Sequence, residues 1–336
     1  MKKNYTLLLL MITSLSFAQA FDVFSPAALS NLHDNGWAIH GGSSGFVQTA
    51  EGSLTYPGLT STGNKAVITS AGVEDVNLAS AAPIPAAAKT AYYSALINVV
   101  NTETLLANTD VVGNFFMFMG TGSGAGTLVG SYNVRLYIKT GSIANTFNLG
   151  VLNNSGAPIT VSYPAVATNY PVGTPLFIVV KYDFQTNAAS LYVNPTIGGT
   201  EPTTSVVSNA TGINAAPLAI GSLGIRQSAG TGNIEIDEVR IGATWAYVTA
   251  GTVLKVAQND IAGLNVYPNP VTNGNLFITS NSSDAKSIAV FDVLGKQVVK
   301  KTTANNAVNV SHLKGGTYIL KITQNEKTAT RKLIIK

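Results

Sequence analysis

After residue 20, no stretch of this chain places apolar residues at the 3.6-residue spacing of a packed helix. Short β-branched and aromatic runs recur instead, each closed by Gly, Asn, Pro or Ser. A chain patterned this way is confined to strands and turns. The runs predict strands at 53–59, 65–69, 92–100, 114–119, 133–139, 146–152, 176–182, 189–193, 218–226 and 234–241. Leu176-Phe177-Ile178-Val179-Val180 is apolar without alternation, which predicts a strand covered on both faces. Lys139 to Ser142 and Phe184 to Asn187 read as hairpin connections. Ten strands with no fixed-period repeat predict one large sandwich, not a propeller or solenoid.

A second, shorter set follows at 264–267, 276–279, 287–291, 297–300, 307–310, 317–323 and 328–335, as in a small seven-stranded immunoglobulin-like sandwich. Charge separates the two sets. Residues 21–262 carry 8 Lys and Arg against 13 Asp and Glu, whereas residues 263–336 carry 10 against 3. A swing from net −5 to net +7 marks a boundary. The expected organisation is a leader at 1–20, a sandwich at 21–248, a linker at 249–262 and a terminal domain at 263–336. The terminal lysines alternate with apolar residues over several strands, as on the wet face of an antiparallel sheet, and do not cluster as a nucleic-acid patch.

The leader opens Met1-Lys2-Lys3, continues through an apolar run to Phe17 and closes on Ala18-Gln19-Ala20. A charged start, a short apolar middle and a small-x-small exit are the parts of a secretory signal peptide, with cleavage expected after Ala20. The apolar run of about twelve residues is too short to span a bilayer. No later segment is apolar for long enough, so the mature chain is expected to have no transmembrane segment. With 0 Cys, the chain has no disulfide, thiolate metal site or cysteine nucleophile.

Four motifs order the terminal domain: Tyr267-Pro268-Asn269-Pro270; Phe291-Asp292-Val293-Leu294-Gly295-Lys296; Leu313 to Ile322 with Gly315, Gly316 and Tyr318; and Lys332 to Lys336. In this order, and at this end of the chain, they resemble the type A sorting domain of bacterial type IX secretion. The resemblance implies export across both membranes, the secretion machinery as partner, and a product that is secreted or held at the outer cell surface. In that family the domain is commonly removed, and the cargo is released or anchored to lipopolysaccharide.

In the passenger, the carrying segments are Ser53 to Leu59, Leu176 to Tyr182, Ala189 to Pro195, Ile220 to Gln227 and Ile236 to Gly242 with Trp245. These resemble the laminin-G-like or concanavalin-A-like jelly-roll sandwich of exported bacterial proteins. The resemblance implies an all-β fold that hosts lectins, adhesion modules and glycoside hydrolases alike.

The sharpest catalytic candidate is Glu235, Asp237 and Glu238, which resemble the Glu-x-Asp-x-Glu strand of laminarinase-like glucanases. Retaining glycosidases need two carboxyls about 5–5.5 Å apart. Here no residue separates Asp237 from Glu238, so strict alternation fails. A β-bulge there would restore Ile234, Ile236, Val239 and Ile241 to one face, leaving a structural or salt-bridged edge strand. Trp37 and His40 are the candidate ligand-binding residues, because an indole stacks on a sugar face. Gly120 to Gly126 lacks the Gly-Lys-Ser/Thr end of a phosphate loop and reads as a plain loop. Calcium is neither specified nor excluded: Asp75, Asp110, Asp183 and Asp237 are isolated in sequence. The expected function is binding or adhesion, carbohydrate being the favoured ligand. The alternatives are a glycoside hydrolase or lyase on the same fold, and a structural surface component.

Overall fold

In a computed structural model of the chain, the described residues are 19–25, 28–122, 130–251, 261, 263–292, 295–325 and 327–336. Residues 1–18, with Ala18, and most of the 249–262 segment lie outside them, as do Val293, Leu294 and the second half of the glycine-rich loop. The chain divides into two compact units at Val253/Leu254. Both are all-β, a large sandwich and then a small one, and no helix among the described residues is long and apolar enough to cross a membrane.

The large unit has two antiparallel sheets. One runs, in spatial order, β13 (Val207–Asn209), β12 (Ala188–Val193), β11 (Leu176–Asp183), β6 (Thr90–Leu105), β15 (Thr231–Gly242), β4 (Lys65–Ile68), β3 (Gln48–Ala50). An eighth strand, β1 (Ala20–Asp22), pairs with the far end of β15, Ala20 opposite Ile241. The other sheet runs β10 (Tyr170–Pro171), β9 (Thr146–Leu152), β8 (Tyr132–Thr140), β7 (Asn114–Gly120), β14 (Ala219–Arg226), β5 (Asp75–Pro85), β2 (Ala38–Gly41).

The inward faces of both sheets form one core that includes Tyr93, Ile178, Val180, Ile234 and Ile236 from the first and Leu136, Ile138, Leu149, Leu223 and Ile225 from the second. Each such side chain, fully buried, stabilises by about 1.5–3 kcal/mol. The outward face of the eight-stranded sheet is covered as well. Leu96, Phe177, Val179 and Tyr192 pack there under Leu54, Leu59, Trp245 and Val248, the last two on a single helical turn, α1 (Trp245–Val248). This second cover explains why β11 reads as continuously apolar.

Three expectations are corrected. Residues 53–59 form a loop with one isolated bridge, Tyr56 to Leu59, because they lie over the sheet instead of joining it. Strand β5 went unpredicted because its Ala, Ser and Pro content hides the strand signal. Strand β15 is no edge: it sits between β6 and β4. The bulge expected in it is present, with the register shifting between Asp237 and Arg240 and Glu238 at φ +49. It leaves Ile234, Ile236, Val239 and Ile241 in the core.

The small unit has seven strands in two sheets. One is β16 (Asn265–Tyr267), β17 (Asn275–Thr279) and β20 (Ala307–Asn309); the other is β19 (Gln297–Thr303), β18 (Lys286–Phe291), β21 (Gly316–Gln324) and β22 (Lys327–Ile335). All seven lie where the sequence predicts them. Leu276, Ile278, Ile288, Val290, Leu320, Ile322 and Leu333 fill the space between the sheets.

Candidate functional site

The outward face of the seven-stranded sheet is where aromatic and cationic side chains collect. On β8, Leu136 and Ile138 point into the core, so Arg135, Tyr137 and Lys139 point out. Val134, at φ +52, shifts the phase and brings Tyr132 onto the same outer face. Register shifts in β7 do the same for Phe115 and Phe118. Phe118 meets Tyr132 edge-on with centroids 4.7 Å apart, and Phe115 lies 6.0 Å from Phe118 and 5.5 Å from Tyr137. Opposite Phe118 on β14 stands Gly224, where a Cβ would collide with the ring; the glycine is what lets Phe118 lie flat on the sheet.

Cations cap this platform. The Arg135 guanidinium lies 4.8 Å from the Phe115 centroid and 5.6 Å from that of Tyr132, and the Arg226 guanidinium lies 4.3 Å from the Phe115 centroid. Farther along, Lys139 stands 4.3 Å from the Tyr163 ring. Arg226 bonds the Asn114 side chain and the Phe115 carbonyl and lies 3.9 Å from Asp75. Burial pushes Asp75 up to about 6, its bond from the Gln227 N–H and the Arg226 charge pulling the other way. Arg135 donates only to the Tyr132 carbonyl and the Tyr137 hydroxyl. Among the described residues it has no carboxylate partner.

His40 completes the platform from β2, its ring 5.3 Å from Phe118 and 6.0 Å from Tyr132. Burial pulls its pKa down to about 4, the neighbouring Asn77 amide opposing, so the imidazole is neutral at physiological pH. No hydrogen bond closes on either His40 nitrogen, on Asn77 Oδ1 or on Ser222 Oγ. On three neighbouring strands, buried polar atoms thus lie beneath this face without a protein partner, where native folds commonly place ordered water. At the end of this sheet, a cleft of about 490 Å³ is lined by Thr121, Ser131, Asn133, Ser155 and Asn214, among others. Its loops are held by buried amides: Asn153 and Asn154 both donate to the Gly212 carbonyl, and Asn154 also to that of Asn214.

The other sequence candidates have different work. Trp37 is buried, stacked 6.0 Å from Phe24, and donates to Asp22 Oδ2 at 2.7 Å, so its ring has no face for a sugar. Asp237 accepts the Leu54 N–H at 2.8 Å, and Glu238 accepts that of Thr62 at 3.0 Å. Both carboxyls are buried, anchoring the 53–62 loop. Glu235 points away and is held by Lys65 and Asn98, each at 2.8 Å. The three therefore do not assemble into a catalytic pair. Asp110 and Asp183 cap turns, each bonding two backbone N–H groups. Among the described residues no three His, Asp or Glu side chains converge on a cation-sized space.

In the small unit, the Asn269 side chain mimics a strand residue: it donates to the Lys332 carbonyl at 2.8 Å and accepts from the Ile334 N–H at 2.9 Å. Tyr267 stacks on Phe277 at 5.6 Å, and Tyr318 donates to the Lys314 carbonyl. Asp292 and Lys296 close a turn in which Gly295 takes φ +83; at Gly316, β21 pairs with the last strand. Gly315 precedes it.

The platform residues Phe115, Phe118, Tyr132, Arg135, Tyr137 and Arg226 were not singled out from sequence. A signal existed in Arg135-x-Tyr137-x-Lys139, which strand alternation puts on one face.

Residues 265–336 match the secretion system C-terminal sorting domain. The chain is accordingly exported by type IX secretion and is secreted or attached at the cell surface. Ulvan lyase NLR42 of Nonlabens ulvanivorans is 32% identical over 88 residues, which is 25% of this chain and 16% of that protein. Solved structures with a similar arrangement include the globular domain of T. cruzi calreticulin (TM-score 0.42, 10% identity, 64% of this chain and 87% of that one). Lectin II from Ulex europaeus is another (TM-score 0.34, 11% identity, 67% and 97%). Scores this low assign no ligand, and the fold rests on the two sheets themselves.

Proposed function

We propose that this protein is an exported, non-catalytic glycan-binding protein whose binding surface is the outward face of the seven-stranded sheet. The observation that carries the reading is the pair of half-buried rings Phe115 and Tyr132, backed by the buried Phe118 and Tyr137 and flanked by the Arg135 guanidinium. Aromatic faces take the C–H face of a pyranose, and fixed polar groups orient its hydroxyls. The sorting domain delivers the sandwich to a place where polysaccharide is met. There the domain is removed, and the passenger is released or anchored through lipopolysaccharide. A glycan array probed with the full chain tests the reading. Binding to a glycan class that Tyr132→Ala abolishes supports it; a blank array from folded protein contradicts it.

A second reading, cleavage of the bound polysaccharide as a lyase, is favoured by the partial likeness to an ulvan lyase. Release of new chain ends by the full protein would support it.

A further inference from the structure

We infer that the ligand of this platform is an acidic polysaccharide, one bearing carboxylate or sulfate groups, and that Arg135 is the residue that selects it. The inference deepens the glycan-binding reading and rests on it.

The argument begins with where the passenger spends its few cations. Residues 21–262 hold 8 Lys and Arg within a segment of net charge −5. Three of them are consumed by structure: Lys65 pairs with Glu235, Lys181 with Glu201, and Arg240 is buried beside Glu238. Three of the eight, Arg135, Lys139 and Arg226, stand on the outward face of one sheet, each over an aromatic ring. Of these, Arg226 is offset by Asp75, and Lys139 donates to the Asp110 carbonyl. Among the described residues, Arg135 makes neither an ion pair nor a hydrogen bond outside its own strand. Its two hydrogen bonds use one Nε–H and one Nη1–H, so the rest of its planar fork remains for an incoming anion. A guanidinium fork matches carboxylate and sulfate oxygens geometrically, and the rings beneath it hold it in place at little entropic cost. The platform thus offers a stacking surface for the sugar ring and a cation beside it for an acidic substituent.

Neutral polysaccharides would use the rings and leave Arg135 unanswered. They are the alternative that the experiment must separate. The array probed with the full chain should therefore hold neutral glycans, uronate-containing glycans and sulfated glycans, read at low and at physiological salt. The expected result is binding to acidic glycans that weakens as salt rises, with Arg135→Gln about tenfold weaker. Arg135→Lys, which keeps the charge and loses the fork, should fall between Gln and the unaltered chain, with its salt dependence retained. Lys65→Gln, on the other sheet, should leave binding unchanged. Preference for uronate over sulfate, or the reverse, would identify which acid is read. Binding to neutral glycans, insensitive to salt and to Arg135, would overturn this inference and leave the glycan-binding reading standing. Binding to none would overturn both.

Discussion

Gly224 lies directly beneath the Phe118 ring, in register with it across the β14–β7 pair, and the space a Cβ would need is occupied by that ring. Phe118 is fully buried between this glycine and the His40 and Tyr132 rings. A Gly224→Ala change must lift the ring or push the strands apart, costing about 1–3 kcal/mol as over-packing does. Chemical denaturation should show that loss. Glycan binding should fall by more than the stability loss explains, because the platform is tilted.

The buried carboxyl of Asp237 gives a pH prediction. Burial raises its pKa to about 7, while the Leu54 and Glu238 N–H bonds pull the other way. A carboxyl whose folded pKa exceeds its unfolded value of 3.8 binds more protons when folded. Its contribution is full below about pH 4 and is lost as pH rises through about 7. The stability of Asp237→Asn measured from pH 4 to 8 should therefore decline less across that window than that of the unaltered chain. An unchanged slope would place the pH response elsewhere.

In the sorting domain, Asn269 ties the chain entering the domain to the last strand by two hydrogen bonds. Asn269→Ala should destabilise the domain by about 1–3 kcal/mol, at roughly 0.5–1.5 kcal/mol for each bond lost. Fractionation of cells expressing it should find less protein at the surface and more behind the outer membrane.

Glu201 gathers the Tyr92 and Tyr192 hydroxyls and the Lys181 ammonium on one carboxylate, at 2.8, 3.0 and 2.8 Å. These lie over the outward face of the eight-stranded sheet, beside Trp245. Glu201→Ala should lower thermal stability without changing glycan binding. Loss of binding in a folded Glu201→Ala protein would move the site to this sheet.

The fold was legible because alternation and turn residues survive in most strands. The small unit could be read strand for strand, since each run, such as Thr317 to Thr323, alternates cleanly between core and water. The site was less legible. Glu235, Asp237 and Glu238 drew attention as acids close in sequence, yet the bulge at Glu238 and the cover from the 53–62 loop are long-range facts that a local pattern does not carry. Trp37 drew attention as an indole, and its partner Asp22 lies on a strand too short to predict. The platform was hidden by backbone irregularity: the left-handed Val134 and the register shifts of β7 put Tyr132, Phe115 and Phe118 on a face that simple counting denies them.

The central claim is that the outward face of the seven-stranded sheet is the glycan surface. Hydroxyl-radical footprinting of the full chain, with and without the best-binding array glycan, tests it most directly. The account predicts protection confined to this face, strongest at Phe115 and Tyr132, the half-buried rings of the platform. Protection at Tyr56 and the 53–61 loop instead, or no change at Phe115 and Tyr132 under saturating glycan, would contradict it.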